Sequence, residues 1–428
     1  MNISPARTAA FDVLERIDEN AEFSSDLLPH YEEKLELRDR ALCHEIVLGV
    51  LRNRIYLDRL INDFASHKKL DDAVRTTCQI GLYQLLFLER VPAHSIVNES
   101  VNLVIRAKKT SAKGFVNALL RRASKEKPEI AFADEIERIS VQHSHPRWLV
   151  EKWSSQFGAE RAESIAEANN RQPARAFRFT QSMTEADRES AEKYPRSEWV
   201  EDCFLADRNT PELIAMANEG RIHFQDEASQ MVGRSVVTSG NGPVIDLCAA
   251  PGGKYAQISM LSPGSKVFAA DRSKKRIETM IDSVKRQGIE LPNILQLDAT
   301  LALPFAEGSF DIVFVDAPCS GTGTIRHNPE IRYLLQPDEI ERKAAKQLRI
   351  LEMASKVVRL GGTLHYSTCS LEQEENEDLI NAFLSKHLKF QIAAPNIPAR
   401  FITEEGFGRT FPDRDNVDGF FISVLKRL

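Results

Sequence analysis

The 428-residue chain has no apolar run near the roughly 20 residues that span a bilayer, so a membrane protein is not expected. Its first segment, Met1–Asn20, carries Asp12, Glu15, Asp18 and Glu19 but no apolar core and no small-residue cleavage site. No secretory leader is expected, and a cytoplasmic location is. Cysteine is sparse: Cys43, Cys78, Cys203, Cys248, Cys319 and Cys369 form no C-x-x-C pair and have no histidine at zinc spacing. That argues against a disulfide framework and against a metal. G-x-G-x-x-G is absent, which disfavours a nicotinamide or flavin dinucleotide. Internal repeats and low-complexity segments are absent too.

The length calls for two or three domains, each burying its own core. A net charge of -6 argues weakly against a polyanionic partner, but the charges are segregated. Between Val101 and Lys127 eight basic residues (Arg106, Lys108, Lys109, Lys113, Arg121, Arg122, Lys125, Lys127) face one acid, Glu126. Such a cluster fits either a phosphate-binding face or a solvated helix.

From Ser4 to about Ala123 the apolar spacing is helical, with Ser4 as a cap, Pro5 in the first turn, and Ala10, Val13, Leu14 and Ile17 on one face. Amphipathic segments near Leu37–Phe64, Leu70–Leu88, Ser95–Arg106 and Ala112–Arg122 complete an all-helical domain over 1–128. A linker of roughly fifteen residues is expected next. Helices near Leu149–Phe157 and Arg161–Ala168 and an alternating run, Ala174–Thr180, predict a small α+β subdomain over 145–230.

From 231 to 428 strands alternate with helices. Strands are predicted at Val244–Cys248, Lys266–Asp271, Ile294–Asp298, Asp311–Asp316, Gly362–Ser367 and Phe420–Leu425, with helices such as Ser273–Gln287 and Pro337–Arg359 between them. This is the pattern of a doubly wound parallel sheet. The first of these strands runs into Cys248, Ala249, Ala250, Pro251, Gly252, Gly253 and Lys254, a glycine turn whose backbone can approach a ligand beside free helix N–H groups. Asp246 lies before that turn, and Asp271 and Asp298 end the next two strands. Acids at successive strand ends suit a nucleoside cofactor, and S-adenosylmethionine fits better than a dinucleotide. Each aspartate could instead serve as a helix cap.

Two cysteines close apolar runs, in Asp316-Ala317-Pro318-Cys319 and in Tyr366-Ser367-Thr368-Cys369-Ser370. Both thiols therefore belong at carboxyl strand ends, where open α/β sheets hold ligands. Carbon 5 of a pyrimidine is a poor nucleophile until a thiolate adds at carbon 6, and covalent catalysis of that kind needs a positioned cysteine. It also needs a fixed carboxyl such as Asp316 to stabilise the shifting charge. Spacing leaves open which cysteine attacks. Cys43, Cys78, Cys203 and Cys248 read as small core residues.

These motifs resemble the RNA 5-methylcytosine methyltransferases of the NOL1/NOP2/Sun family over nearly the whole chain. Cys248 through Lys254 is similar to the family's cofactor loop, Asp271 to its ribose-binding acid and Asp298 to the acid beside the adenine. Asp316 through Gly323 and Ser367-Thr368-Cys369-Ser370 resemble its two cysteine signatures. The resemblance implies attack by Cys369 and release assisted by Cys319, with Asp316 also near the cofactor. The helical domain resembles NusB, an RNA-binding fold, through Gly114-Phe115-Val116-Asn117-Ala118-Leu119-Leu120-Arg121-Arg122, and Asp418-Gly419-Phe420-Phe421 is also family-like. The fold implied is an all-α NusB-like domain, a small α+β subdomain and an α/β Rossmann-like class I methyltransferase domain. Such a fusion resembles the bacterial enzymes that methylate a cytosine of 16S rRNA, free or in a partly assembled small ribosomal subunit. Transfer RNA as substrate, or a non-catalytic RNA-binding factor, are the alternatives. Two departures from the family pattern occur: Arg178-Phe179-Thr180 replaces an Arg-x-Asn, and Asp413 stands where a histidine is usual.

Overall fold

The computed structural model describes residues 3–65, 69–126, 129–237, 240–290 and 293–428. The chain divides into two units: Met1–Arg171 with Ile325–Pro337, and Gln172–Thr324 with Asp338–Leu428. No helix among the described residues is long and apolar enough to cross a membrane.

The first unit is helical: α1 Pro5–Asn20, α2 Ser24–Glu32, α3 Leu37–Phe64, α4 Asp72–Phe87, α5 Ala93–Arg106, α6 Lys113–Ala123, α7 Glu135–Gln142, α8 Arg147–Phe157 and α9 Ala159–Ala168. The expected α1 face is buried, Ala10, Val13, Leu14 and Ile17 all joining one core with α3, α4, α5 and α6. Ser4 occupies the cap position without capping. Its hydroxyl accepts from Arg7 Nη1 at 3.0 Å and its N–H donates to Glu99 at 2.8 Å, because Arg7 is drawn inward by Gln84 and Glu99. The stretch read as a linker contains α7. Asp134 caps it by accepting the Glu137 N–H at 2.7 Å, and Ile139 is buried against Val150 and Ala166. Its density of charge reflects a solvent face rather than an unfolded tether. Lys127 of the basic cluster lies outside the described residues.

The second unit opens with a three-stranded antiparallel sheet, β1 Arg175–Phe179 between β2 Cys203–Ala206 and β3 Ile222–Phe224. Helices α10 Glu185–Ala191 and α11 Pro211–Asn218 belong to it, over a core of Phe177, Phe179, Phe204, Leu213 and Ile222. Thr180, at the departure from the family pattern, donates its hydroxyl to the Gly220 carbonyl.

The larger sheet contains β4 Val244–Asp246, β5 Val267–Asp271, β6 Ile294–Gln296, β7 Phe310–Asp316, β8 Val358–Thr368, β9 Phe390–Ala393, β10 Gly408–Arg409 and β11 Phe421–Arg427. Its order is β10-β11-β8-β7-β4-β5-β6, with β9 also paired to β11. Strands β4 to β8 are parallel, but β11 is antiparallel to β8, so the sheet is mixed rather than wholly parallel. The chain enters β11 from its antiparallel partner β10 and not through a crossover helix, which fixes its reversed direction. The central strands read as unbroken apolar runs because helices cover both faces. Val244, Ile312 and Phe314 pack with α12 Glu227–Ser235, α13 Gly253–Leu261 and α14 Lys274–Arg286. Ile245, Val313 and Val315 pack instead with Ile350, Leu351 and Phe383.

Candidate active site

The site lies at the carboxyl ends of β4, β5, β7 and β8. After β4 the chain turns through Gly252 at φ +100°, and a Cβ there would meet Met280 Cγ at 2.6 Å and Val284 Cγ2 at 2.7 Å. Only glycine lets this turn rest on α14. The three aspartates share one local device. Asp246, Asp271 and Asp298 each accept the N–H two residues on, from Cys248 at 3.1 Å, Ser273 at 2.9 Å and Thr300 at 2.9 Å. The turn-forming and ligand-binding readings are therefore compatible, since each bond engages only one carboxyl oxygen. The Thr300 hydroxyl and N–H lower the Asp298 pKa. Asp271 is 3.3 Å from Arg276 Nη1, whose other nitrogen donates to the Ala250 carbonyl. Arg276 thus links the first acid after the turn to the turn itself.

Asp246 is fully buried, and burial with the nearby Asp316 raises its pKa to about 8. Lys254, on the first turn of α13, donates to Asp316 Oδ2 at 2.7 Å. Burial opposes the Lys254 charge, but Asp316 more than offsets it and the lysine pKa is raised. Asp316 Oδ1 accepts from Ser367 Oγ at 2.7 Å, so both carboxyl oxygens are held. The aliphatic and cationic end of Lys254 also sits 5.1 Å from the centroid of Phe420.

The two cysteine motifs meet. Cys319 Sγ and Cys369 Sγ are 3.2 Å apart, although 50 residues separate them in the chain. Register explains this: Asp316 pairs with Ser367 across parallel β7 and β8, and the Ala317 N–H extends the ladder to the Ser367 carbonyl at 2.9 Å. Cys319 then lies three residues past Asp316, and Cys369 two past Ser367. The hydrogen bond shared with the neighbouring Cys369 sulfur, followed by burial, holds the Cys319 thiol well above its ordinary range. Cys43 and Cys78, buried in the helical core, have thiols pushed up to about 12 by burial, and Cys203 is buried as well. Cys248 is half-buried, and its thiol is also raised by burial.

The Cys369 loop is braced from several directions. Gly323 N–H donates to the Cys369 carbonyl at 2.9 Å, and Gly419 N–H to the Gly323 carbonyl at 2.8 Å. A Cβ on Gly323 would lie 2.0 Å from the Gly419 oxygen, so two family-like glycines are explained by one backbone approach. Arg409 donates to the Ser370 and Leu371 carbonyls at 3.0 and 2.8 Å. Sequence reasoning placed Lys254 only in the cofactor loop and Ser367 only in a cysteine motif, and passed over Arg276, Arg409 and Glu375. A signal for Glu375 was present in the acidic run Glu372–Glu377, where Glu372, Glu375 and Asn376 are buried rather than solvated.

Comparison with known proteins agrees with this arrangement. Residues 4–125 match the NusB family, 145–192 the RsmF/B-like ferredoxin-like domain, and 237–426 the 16S rRNA methyltransferase RsmB/F family. A probable ribosomal RNA small subunit methyltransferase B of Bacillus subtilis is 32% identical over 447 residues, covering 100% of both chains. The chain belongs to the RsmB/F family of 16S rRNA methyltransferases. A second RsmB/F relative, ribosomal RNA small subunit methyltransferase B of Escherichia coli, is 29% identical, covering 98% of each chain. Among solved structures, that of PH0851 superposes with a TM-score of 0.84 at 26% identity, covering 100% of each chain. The methyltransferase homolog protein of Pyrococcus horikoshii gives 0.56 at 26%, covering 69% of this chain and 100% of its own. The expected family and three-part fold are both borne out, and membership makes the chain an rRNA methyltransferase.

Proposed function

We propose that this RsmB/F-family enzyme methylates carbon 5 of a cytosine in 16S rRNA, using S-adenosylmethionine, through a covalent adduct to Cys369. The observation that carries the reading is the pair of thiols 3.2 Å apart beside the Lys254–Asp316 ion pair. Methyl transfer to an oxygen or an exocyclic amine has no use for two thiols, whereas activation of carbon 5 needs one to add and benefits from a second at release.

Cys319 keeps its proton at neutral pH, because the Cys369 sulfur and burial raise its pKa. It is accordingly a poor nucleophile, which leaves Cys369 as the attacking thiol. Cys369 Sγ adds to carbon 6, and the electron pair moves into the ring toward the nitrogen and carbonyl oxygen. Asp316, oriented by Lys254 and Ser367, holds the base edge while this charge shifts. S-adenosylmethionine, when bound, would supply an electrophilic methyl group for the now nucleophilic carbon 5. The carbon 5 proton passes to water, its bonding pair re-forms the carbon 5–carbon 6 double bond, and the carbon 6–sulfur bond breaks with its electrons to return the thiolate to Cys369, with Cys319 assisting release. The residues that would hold the cofactor are Cys248, Ala249, Ala250, Pro251, Gly252, Gly253, Lys254, Asp271, Asp298 and Asp316. Their fit rests on a glycine turn at a helix N-terminus followed by two carboxyl groups with acceptor capacity left over.

In the helical unit, Arg106, Lys109 and Arg122 are engaged by Asp12, Asp71 and Glu126. Lys113 and Arg121 instead line a cleft of about 540 Å³ between α5 and α6, with His94, Asn98 and Asn117 and, among the described residues, no carboxylate. That lining suits RNA phosphates, and affinity there falls as salt rises.

The test is transfer of labelled methyl from S-adenosylmethionine to unmodified 16S rRNA, with Cys369→Ala and Cys319→Ala alongside. Label at a cytosine is expected to vanish with Cys369→Ala, and a denaturation-resistant protein–RNA adduct to accumulate with Cys319→Ala. Transfer that survives Cys369→Ala overturns the nucleophile, and label found only on transfer RNA overturns the substrate.

A further inference from the structure

Glu375 ends a short 3-10 turn, Gln373–Glu375, after β8 and is wholly buried. Its Oε1 accepts from the Ser320 N–H at 2.9 Å and from Gln347 Nε2 at 2.8 Å. Its Oε2 accepts from Ser370 Oγ at 2.5 Å and from Ser320 Oγ, and these two hydroxyls are 2.9 Å from each other. Ser320 and Ser370 are the residues that directly follow Cys319 and Cys369. One carboxyl group therefore ties together the two loops that carry the thiols.

The flanks are held by the same pair of neighbours. Gln347 also donates to the Pro318 carbonyl at 3.0 Å, on the other side of Cys319. Asn376 accepts from Thr368 Oγ1 at 2.5 Å and donates to the Ser370 carbonyl at 2.9 Å, on both sides of Cys369. No lysine or arginine pairs with Glu375 among the described residues. A buried carboxyl group satisfied only by neutral donors is an expensive way to anchor an ordinary loop. It is an effective way to fix two loops at one separation, because its two oxygens converge several donors on a single point.

We propose that Glu375 is a positioning residue that sets the spacing of the Cys319 and Cys369 sulfurs and thereby the balance between attack and release; the second half of this rests on the covalent reading above. Without Glu375, Ser320 and Ser370 lose their shared acceptor and the two loops relax independently. The glycine turn at Cys248–Lys254 makes none of these bonds, so cofactor binding is spared.

Phenylarsine oxide tests the spacing directly. It condenses with two thiols, forming two As–S bonds and releasing its oxygen as water with both thiol protons, with no change of oxidation state. The full-length protein is titrated as wild type, as Cys369→Ser to blank the remaining thiols, and as Glu375→Ala, Glu375→Gln and Ser370→Ala. Wild type is expected to bind one equivalent that Cys369→Ser lacks. Glu375→Ala is expected to weaken that binding by about tenfold or more, since preorganised ligands act at high effective concentration. Glu375→Gln, which keeps an acceptor for the Ser320 N–H, falls between them. Affinity for S-adenosylmethionine, read by calorimetry, stays within about twofold of wild type in each variant. In methyl transfer, Glu375→Ala lowers kcat at unchanged KM for RNA and raises the fraction trapped as adduct.

Arsenical affinity equal to wild type in a folded, cofactor-binding Glu375→Ala overturns the proposal. Should that variant not fold, unchanged affinity in both Glu375→Gln and Ser370→Ala overturns it equally. If arsenical affinity falls as expected but even the wild type forms no adduct and transfers no methyl to 16S rRNA, the spacing role stands and the covalent reading fails.

Discussion

Lys254 closes the glycine turn in sequence, yet in space its ammonium serves Asp316 on a different strand. A largely buried cation and carboxylate stabilise each other far more than either stabilises the fold alone, because removing one leaves the other desolvated and unpaired. Lys254→Met and Asp316→Asn are each expected to destabilise the catalytic unit, and the double variant to lose less than the sum. Urea denaturation of the four proteins should return a coupling of about 1–3 kcal/mol; additive losses would mean that the pair is not coupled. On the proposed mechanism, methyl transfer should fall by about two orders of magnitude or more in either single variant, since the carboxylate assigned to hold the base would be lost or misoriented. The residue scale is where sequence said least. Asp316, Cys319 and Cys369 stood out in the sequence as candidates because they sit in loaded motifs at strand ends, and the structure brings them together. Lys254 and Glu375 did not, because a lysine after glycines and a glutamate in an acidic run each have an ordinary surface explanation. Only the packing removes it.

At the scale of elements, the ends of β4 and β7 make a pH-sensitive joint. Asp246 has a pKa raised to about 8 by burial and by Asp316, against an ordinary value of 3.8. Between those values the folded chain holds a proton that the unfolded chain has released, so this group's contribution to stability declines as pH rises from about 4 to about 8 and then levels off. Asp246→Asn keeps an oxygen for the Cys248 N–H and has no proton to lose. Its melting temperature relative to wild type should therefore climb across that window; a constant difference would refute the assignment. The Gly323–Gly419 contact holds two elements at backbone distance. Gly323→Ala places a methyl 2.0 Å from the Gly419 carbonyl oxygen and should cost about 1–3 kcal/mol or more, whereas Gly114, with nothing within 4 Å of its Cβ position, should accept alanine with a gain of up to about 1 kcal/mol. Thermal unfolding of both variants decides it. The strands that carry the site were readable because burial on both faces writes a continuous apolar run. Strands β2, β3, β9 and β10 have two to four residues each, too few to show a period, and α2 was hidden by Pro29 within it.

For the molecule as a whole, the unit boundary cuts across the order of the sequence. The segment Ile325–Pro337, which directly follows the Cys319 loop, belongs to the helical unit. It includes α15 Ile331–Leu334, and its Arg332 is completely buried. Arg332 Nη1 donates to the carbonyls of Arg52, His143 and Ser144 at 3.3, 3.2 and 3.1 Å and to Asn170 Oδ1 at 2.8 Å, and Nη2 donates to the Asn169 carbonyl at 3.4 Å. Glu330 accepts from the Ser24 N–H at 2.6 Å and hydroxyl at 2.9 Å. Arg332→Ala strands several buried carbonyls at once, at about 1–3 kcal/mol for each left unsatisfied. The helical unit should melt well below wild type, and limited proteolysis should open first near 325–337; an unchanged melting profile would contradict this role. Nothing in the sequence marks the segment, because most of the Arg332 hydrogen bonds go to main-chain carbonyls, which every residue type possesses.

A module that takes thirteen of its residues from within another cannot be inherited, exchanged or lost by a single cut in the gene. A chain ended at Arg171 would lack Arg332 and leave its carbonyl acceptors bare, and the remaining half would carry the orphaned segment between Thr324 and Asp338. The two halves can be expected to vary together through descent as one unit, and complementation of separately expressed halves should require residues 325–337 to be supplied to the first.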